Sequence, residues 1–498
     1  MMNAQTWQNQ RITILGLSKS GSAVARYVLS RGGEVFLSEV MPATPGNASA
    51  RETLSELGCH IEMGGHSKQC YDFAPTVVVS PGIPPSSEII HQLKLSGLSV
   101  ISEVEFAYRE SQKHQPPVPW VGVTGTNGKT TTTSLIAEIF QHAGYKAPAC
   151  GNIGLPVADV LNIEPKADSF SEALPDVLIA ELSSYQLEFS PTLTAKIAVF
   201  LNLTPDHLDW HGSFDAYERA KAKLFTGTQT PEMLILRAQD PVALKWLAQN
   251  PQKSSVWGFG LSRTDCEAFL NKAYLDSDGW IALEPMEKSP IQLFKATALN
   301  IIGDHNIENV LASVAAAWAF GISADVIRDA CLAFKAVAHR LEFVGARLTP
   351  QGGNIRYYND SKATNPEATI SALRSFPSDT GSVVLIAGGR DKMGPLNDFV
   401  REVQENVTSV VLLGEATDRF KVALKDAGYS AVYRATDLSD AVEQASDLVK
   451  SGVVLFSPAC ASFDMFANFE QRGDAFKDIV NKIISSGVSS GLQEKAIK

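Results

Sequence analysis

The chain has 498 residues, 45% of them hydrophobic and 19% charged, and carries a formal charge of −11 at neutral pH. That length suits about three globular domains with ordinary cores. The acidic balance, with no Lys/Arg-rich run, argues against a nucleic-acid-binding surface. The six cysteines, Cys59, Cys70, Cys150, Cys266, Cys331 and Cys460, form no C-x-x-C pair, which points to buried free thiols in a reducing compartment and away from zinc. Residues 1–11 are polar and lack the apolar core of a secretory signal. Residues 310–324 read as a buried helix, too short and too close to charge to span a bilayer. A cytoplasmic protein without membrane insertion is expected.

In chain order, the first block opens with strand 11–15, the turn Gly16-Leu17-Ser18-Lys19-Ser20-Gly21, a helix to about Arg31, and strand 34–38 ending in Glu39. Strand 76–79 then runs into Ser80-Pro81-Gly82-Ile83-Pro84. This is a Rossmann-like βαβ pattern. A dinucleotide fingerprint needs a second glycine where the backbone approaches a pyrophosphate, and Ser18 stands there. The turn therefore suits another phosphate-bearing ligand better than NAD, with a purely structural turn as the alternative.

His114-Gln115-Pro116-Pro117-Val118-Pro119 is a helix-forbidding linker and marks the first boundary. Directly after it, Val121-Gly122-Val123-Thr124-Gly125-Thr126-Asn127-Gly128-Lys129-Thr130-Thr131 reads as a buried strand, a glycine-rich turn and the start of a helix running to about Ala143. Such a turn aims backbone N–H groups at anionic oxygens, the helix N-terminus adds partial positive charge, and Lys129 reaches the terminal phosphates. Thr130 is placed to put its hydroxyl on Mg²⁺. The loop is shorter than the generic phosphate loop, with Val123 where the first glycine belongs. A plain strand-to-helix turn is the bland alternative; Gly-Lys-Thr-Thr after an apolar strand favours a nucleoside triphosphate.

Strands near 177–180 and 197–201 deliver Glu181-Leu182-Ser183-Ser184 and Asn202-Leu203-Thr204-Pro205-Asp206-His207-Leu208-Asp209 to the carboxyl edge of the same sheet, beside the loop. A carboxylate and an imidazole there can hold divalent ions that bridge phosphate oxygens. Asp206 and Asp209 are ligands or caps of the next turn. Lys221, on helix 214–225, has the look of an ordinary solvated lysine. Segments 162–174 and 261–295 lack periodicity and read as loops or a small peripheral sheet. From His339 onward, strands near 383–387, 409–413, 431–433 and 453–456 alternate with helical stretches, a second doubly wound unit. The expected fold is α/β in three domains: a Rossmann-like domain over 1–113, a central P-loop ATPase-like domain over 114–338, and a C-terminal Rossmann-like domain over 339–498.

The set Gly125-Thr126-Asn127-Gly128-Lys129-Thr130, Gly151-Asn152-Ile153-Gly154, Glu181-Leu182-Ser183-Ser184, Asp206-His207-Leu208-Asp209 and Ala220-Lys221 closely resembles the Mur ligase family, which joins amino acids to a UDP-linked muramic acid precursor of peptidoglycan. The resemblance continues through Gly303-Asp304-His305-Asn306, Asn309, His339-Arg340 and Asn359-Asp360-Ser361-Lys362-Ala363-Thr364-Asn365. It ends with Ser457-Pro458-Ala459-Cys460-Ala461-Ser462-Phe463-Asp464 and Asn468-Phe469-Glu470-Gln471-Arg472-Gly473, so it covers nearly the whole chain. The last stretches, with Ser80–Ile83 and Gly388-Gly389-Arg390-Asp391-Lys392, look most like the branch that adds D-glutamate to UDP-N-acetylmuramoyl-L-alanine. Two departures are the length of the chain and Glu39, where an aspartate is common.

The resemblance implies an ATP-dependent carbon–nitrogen ligase working through an acyl phosphate, catalysed by positioning and charge neutralisation. It implies that Gly125, Thr126, Asn127, Gly128, Lys129, Thr130 and Thr131 hold ATP, with Asn306 and Asn309 at the adenine, Asp360 at the ribose and Arg340 at the phosphates. Of two Mg²⁺ ions, one falls to Thr130 and Glu181 and the other to His207 and a Lys221 carbamylated by CO₂. Ser18, Lys19, Ser20, Glu39, Gly82 and Asn152 fall to the UDP substrate, and Thr364, Lys392, Ser462 and Phe469 to D-glutamate. A monomer is expected. The rival readings are a related ligase such as folylpolyglutamate synthase, an NAD-dependent oxidoreductase built on Gly16–Gly21, and a non-catalytic scaffold. Phosphate release with different amino acids separates them.

Overall fold

The computed structural model describes residues 7–162, 174–226, 230–249, 255–286, 288–335, 337–349, 352–376, 380–391 and 393–487. Most of segment 162–174, the first six residues and Lys392 therefore lie outside the described residues. The chain divides into two compact units, one within 1–298 and 308–334 and the other within 299–307 and 335–498.

The first unit holds two sheets. β1 (Arg11–Leu15), β2 (Glu34–Glu39), β3 (His60–Met63), β4 (Thr76–Val79) and β5 (Ser99–Ile101) form a parallel sheet in the order β3-β2-β1-β4-β5. The nearly continuous apolar runs of β1 and β4 are what strands covered by helices on both faces require.

The second sheet has nine strands: β6 (Trp120–Thr124), β7 (Ala149–Gly151), β8 (Leu178–Glu181), β9 (Ile197–Phe200), β10 (Met233–Arg237), β11 (Val256–Gly260), β12 (Asn271–Leu275), β13 (Trp280–Glu284) and β14 (Ile291–Lys295). Their order is β14-β13-β12-β11-β10-β9-β6-β8-β7. β6 lies between β8 and β9, parallel to both, so the glycine-rich loop, Glu181 and Asn202 leave one edge side by side.

Two expectations are corrected here. Residues 261–295 are neither loops nor a separate sheet: β12 continues the parallel ladder from β11, and β13 and β14 extend it antiparallel. Five-residue strands with polar turns between them carry too few repeats for a period of two to stand out. Residues 310–324 are not one helix, because helix Asp304–Phe320 ends at Gly321 (φ +105°) and a new helix, Ala324–Ala333, follows. A glycine in this left-handed region is a usual helix stop.

The stretch 114–119 joins two sheets that share one core, which runs from Trp7, Tyr27 and Phe106 to Trp120, Leu178 and Phe200. The fully buried Glu105, on helix Glu103–Ser111 of the first sheet, accepts hydrogen bonds from the Thr192 (3.1 Å) and Leu193 (2.9 Å) backbone N–H groups that precede β9. The salt bridge of Arg26 with Asp159 adds a second tie.

The second unit carries β15 (Glu342–Leu348), β16 (Asn354–Asn359), β17 (Ser382–Gly388), β18 (Ser409–Leu413), β19 (Val432–Arg434) and β20 (Gly452–Phe456), ordered β15-β16-β20-β17-β18-β19. Only β15 among them runs antiparallel. Among the described residues, no helix is long and apolar enough to cross a membrane.

Candidate active site

The loop after β6 is shaped by two glycines in conformations that other residues avoid, Gly125 (φ +157°) and Gly128 (φ +84°), before helix Lys129–His142 begins. Lys129 Nζ donates to the carbonyls of Gly125 and Thr126, both at 2.8 Å. Lys221 Nζ, from helix Phe214–Thr226, donates to the same Gly125 carbonyl at 2.8 Å. Two lysine side chains therefore converge on one turn. On the other side of the turn, Asn202 Oδ1 accepts from the backbone N–H groups of Thr126 (3.1 Å) and Asn127 (2.9 Å), and its Nδ2 donates to the Asn127 carbonyl (3.2 Å). The Thr126 hydroxyl shares a hydrogen bond with the buried Tyr217 hydroxyl (3.0 Å) and accepts from the Thr204 N–H (3.0 Å).

Lys221 is not a solvated lysine. Its residue is 2% exposed, and burial pulls the ammonium well below the ordinary lysine value, reinforced by Lys129 and opposed by Asp206 and Glu181. Glu181, also 2% exposed, ends β8 and accepts from Asn152 Nδ2 through Oε1 (2.8 Å), while its Oε2 is buried with no hydrogen-bond partner. An orphaned carboxylate oxygen of this kind fits a hard divalent cation. Among the described residues no cluster of three or more His, Cys, Asp or Glu could hold a metal. The other ligands would have to be a hydroxyl such as that of Thr130, a modified Lys221, phosphate oxygens or water. His207, at φ +54°, lies with Nε2 3.4 Å from Asp206 Oδ2 and packs on the Tyr185 ring at 4.8 Å between centroids. Asp206 also accepts from the His207 backbone N–H (2.9 Å). His211, next on the same turn, shares a hydrogen bond with Ser184 (2.9 Å), and burial draws its imidazole down to about 4, which keeps it neutral.

Asn309 sits against this loop rather than in the open. Its Oδ1 accepts from Thr132 (3.3 Å) and would lie 2.3 Å from a Cβ placed on Gly128. Thr131 is buried at the helix start.

In the first sheet, the turn after β1 is held by its own chain. Ser18 caps helix Lys19–Leu29 by accepting from the Gly21 N–H (3.2 Å) and shares a hydrogen bond with Ser80 (2.7 Å). Ser80 also donates to the Gly16 carbonyl (3.2 Å), tying together the turns that carry Ser20 and Gly82. Glu39, at the end of β2, accepts from the backbone N–H groups of Leu17 (2.7 Å) and Met41 (2.9 Å). One oxygen thus serves the turn after β1 and the other the loop that follows β2. Lys19 is exposed.

In the second unit three loops leave the carboxyl ends of the neighbouring strands β16, β20 and β17. Arg472, 1% exposed, staples two of them: Nε donates to the Ser361 hydroxyl (3.0 Å), Nη2 to the Ser361 carbonyl (2.7 Å), and Nη1 to the carbonyls of Cys460 (3.0 Å) and Ala461 (3.2 Å). Burial draws its guanidinium down to about 10. The third loop joins through reciprocal backbone bonds of Arg390 and Ala461, at 2.8 and 3.1 Å. The loops bearing Thr364 and Ser462 are thereby brought together, and the ring of Phe469 lies 4.9 Å from Lys362 Nζ nearby. Asp360 is engaged inward: Oδ1 accepts from the Leu341 N–H (3.2 Å), Oδ2 accepts from the Ser457 hydroxyl (2.7 Å), and burial pushes its carboxyl up to about 7. Asn306 Nδ2 donates to the Ile302 carbonyl (2.7 Å). Arg340 is half-buried and helps burial draw the His305 imidazole down to about 4.

Residues 10–102 match the Mur ligase MurD-like N-terminal domain, 123–317 the Mur ligase middle domain, and 339–460 the Mur ligase glutamate ligase domain. The UDP-N-acetylmuramoylalanine--D-glutamate ligase of Pelotomaculum thermopropionicum is 37% identical, over 95% of this chain and 97% of that protein. The protein of the same name from Pelodictyon phaeoclathratiforme is 38% identical, over 96% of this chain and 99% of its own length. The chain belongs to the Mur ligase family. Among solved structures, a pseudomurein peptide ligase type C from Methanothermus fervidus shares the fold at 18% identity, with a TM-score of 0.54 over 95% of this chain and all of that one. A murein peptide ligase from Psychrobacter arcticus shares it at 17% identity and a TM-score of 0.51, over 97% of this chain and all of its own.

Against the Mur ligase motifs, three residues at these sites have structural partners that their sequence positions did not reveal. Asn202 was visible only as the residue after an apolar strand, and Tyr217 only as an aromatic on a helix. Arg472 stood in a motif whose charge gave no hint of full burial. Each has a hydrogen-bond partner more than 70 residues away in the chain.

Proposed function

We propose that this chain is an ATP-dependent ligase that joins D-glutamate to UDP-N-acetylmuramoyl-L-alanine, giving the UDP-linked dipeptide, ADP and phosphate in the cytoplasmic synthesis of peptidoglycan precursors. The observation that carries the reading is the convergence of Lys129 and Lys221 on the Gly125 carbonyl beside the orphaned Glu181 oxygen, in a chain whose relatives bear that ligase's name. A carboxylate does not condense with an amine in water. Its oxygen attacks the γ-phosphorus of ATP, the bond to the β–γ bridging oxygen breaks, and ADP leaves. The amine then attacks the acyl carbon, the carbon–oxygen bond to phosphate breaks, and an amide remains. Both steps gather negative charge that fixed cations stabilise.

In this reading residues 1–113 hold the UDP end at Ser18, Lys19, Ser20, Glu39 and Gly82, residues 114–338 hold ATP, and residues 339–498 hold D-glutamate. Lys129 neutralises the γ-phosphate. Thr130 and Glu181 hold one Mg²⁺, supported by Asn152, and His207 with a carbamylated Lys221 holds a second. Bound Mg²⁺ supplies charge neutralisation at the phosphate oxygens. Burial pulls the Lys221 ammonium well below the ordinary lysine value, which favours the neutral amine that carbamate formation from CO₂ requires. Asn306, Asn309, Arg340 and Asp360 serve the nucleotide, Asn309 and Asp360 through the backbone and side chains they brace. Thr364, Ser462, Phe469 and Lys392 serve the amino acid, whose side-chain carboxylate needs a cation and hydroxyl donors.

The test is phosphate release from ATP with UDP-N-acetylmuramoyl-L-alanine and a panel of D- and L-amino acids, with products weighed by mass spectrometry. D-glutamate alone should give an amide product. Ligation of D-alanine as readily as D-glutamate would overturn the substrate assignment, because a site built to pair charge is left desolvated by an apolar ligand.

A further inference from the structure

We propose that Asn202 is a positioning residue for nucleotide binding: its amide takes the first two N–H groups of the phosphate loop and so directs phosphates to the N–H groups that open the following helix. The inference rests on the nucleotide reading of that loop. Asn202 follows β9, the parallel neighbour of β6, so its side chain reaches the loop from the adjacent strand end. Its one acceptor and two donors match a turn that offers consecutive N–H groups and a carbonyl. Oδ1 receives Thr126 N–H and Asn127 N–H, Nδ2 returns a bond to the Asn127 carbonyl, and the Asn202 carbonyl receives Thr126 N–H as well (3.0 Å).

Three consequences follow from that geometry. The N–H groups at positions 126 and 127, which in a longer glycine-rich loop would face phosphate, face Asn202 here. The carbonyls of Gly125 and Thr126 are thereby turned to the opposite side, where they hold Lys129 Nζ, and the Gly125 carbonyl also holds Lys221 Nζ. The helix N-terminus, with its opening N–H groups and partial positive charge, becomes the anion-binding end. Asn202 thus sets both the donor direction and the perch of the two lysine side chains, without itself meeting the substrate.

The experiment compares wild type, Asn202→Ala and Asn202→Asp by calorimetric titration with ADP and Mg²⁺, steady-state KM for ATP and D-glutamate, and thermal melting. Removing three side-chain hydrogen bonds should weaken ADP binding and raise KM for ATP by about tenfold or more in Asn202→Ala, with KM for D-glutamate within about twofold of wild type. Asn202→Asp keeps both N–H bonds and hence the melting temperature, loses the donor to Asn127, and adds a negative charge. It should weaken ATP more than ADP, and it carries the test should the alanine variant fold poorly. Unchanged ADP affinity in both variants, beside a wild type that binds ADP, would overturn the proposal. So would parallel losses for ATP and D-glutamate that track a lowered melting temperature. A wild type that binds no ADP would overturn the nucleotide reading on which the proposal stands.

Discussion

The turn after β1 and the turn after β6 are built to one plan and differ in charge. Each follows an apolar parallel strand, opens a helix and contains a glycine at positive φ, Gly16 at +98° and Gly128 at +84°. Each is braced by a side chain from the end of the neighbouring parallel strand, Glu39 beyond β1 and Asn202 beyond β6. The first brace is a carboxylate that spends both oxygens on backbone N–H groups, and the cation of that turn, Lys19, is exposed. The second brace is a neutral amide, and two lysines meet at its turn. The strand–turn–helix unit therefore does not choose the ligand. The charge of the brace and of the groups around it does, because a low-dielectric turn amplifies every fixed charge nearby. In the proposed reading the triphosphate goes to the second turn and the UDP end of the substrate to the first.

The largest effect that would break this comparison is at Lys129. Lys129→Ala should cut ATP turnover on the order of 10²–10³-fold with an unchanged melting curve, the usual consequence of losing one preorganised group at developing charge. Normal turnover would remove the second turn from the chemistry. Next comes Lys221→Ala, expected to lower activity on the order of 10²-fold and to be restored in part by acetate, which can enter the vacated metal position. Activity indifferent to both CO₂ depletion and acetate would refute the carbamate.

The two glycines sharpen the contrast further. Gly128→Ala puts a Cβ at positive φ and 2.3 Å from Asn309 Oδ1, and Gly16→Ala puts one 2.4 Å from Ser80 Oγ. Strain of about 1–3 kcal/mol in each case should raise KM about tenfold, for ATP in the first variant and for the UDP substrate in the second. Equal effects on both substrates from either variant would mean the turns are not separate sites. The smallest expected effect is at the carboxylate brace. Glu39→Gln keeps an acceptor for Leu17 but not the charge, so KM for the UDP substrate should shift by only about two- to threefold while KM for ATP stays fixed.

The parts of this architecture that could be read along the chain are those with local causes. Strand β1, strand β4 and strand β18 fall on apolar runs bounded by turn residues, and the loop at Gly125–Thr131 announces itself through glycines whose φ no other residue adopts cheaply. Strands β12–β14 were hidden because each is only five residues long, too short for its alternation to stand out, although each pairs with its neighbour in sequence. Lys221 was hidden for a different reason. Its helix looks solvated in isolation, and only the packed surroundings bury the amine, which donates to the Gly125 carbonyl. Asp360 was expected at the ribose from the resemblance alone, and packing engages its oxygens with Leu341 and Ser457.

By itself the sequence determined the α/β class, the positions of the two glycine turns and the order of the motifs. Each of these depends on residues close together in the chain, where steric limits on φ and the period of apolar positions act directly. Only the tertiary structure decided that the first two sheets share one core through Glu105, that Glu181 keeps a buried oxygen without a partner, and that Asn202 and Lys221 grip opposite sides of one turn. Those outcomes are set by burial and by partners distant in sequence. Desolvation and hydrogen-bond completion are properties of the packed surroundings, and no single segment of the chain contains them.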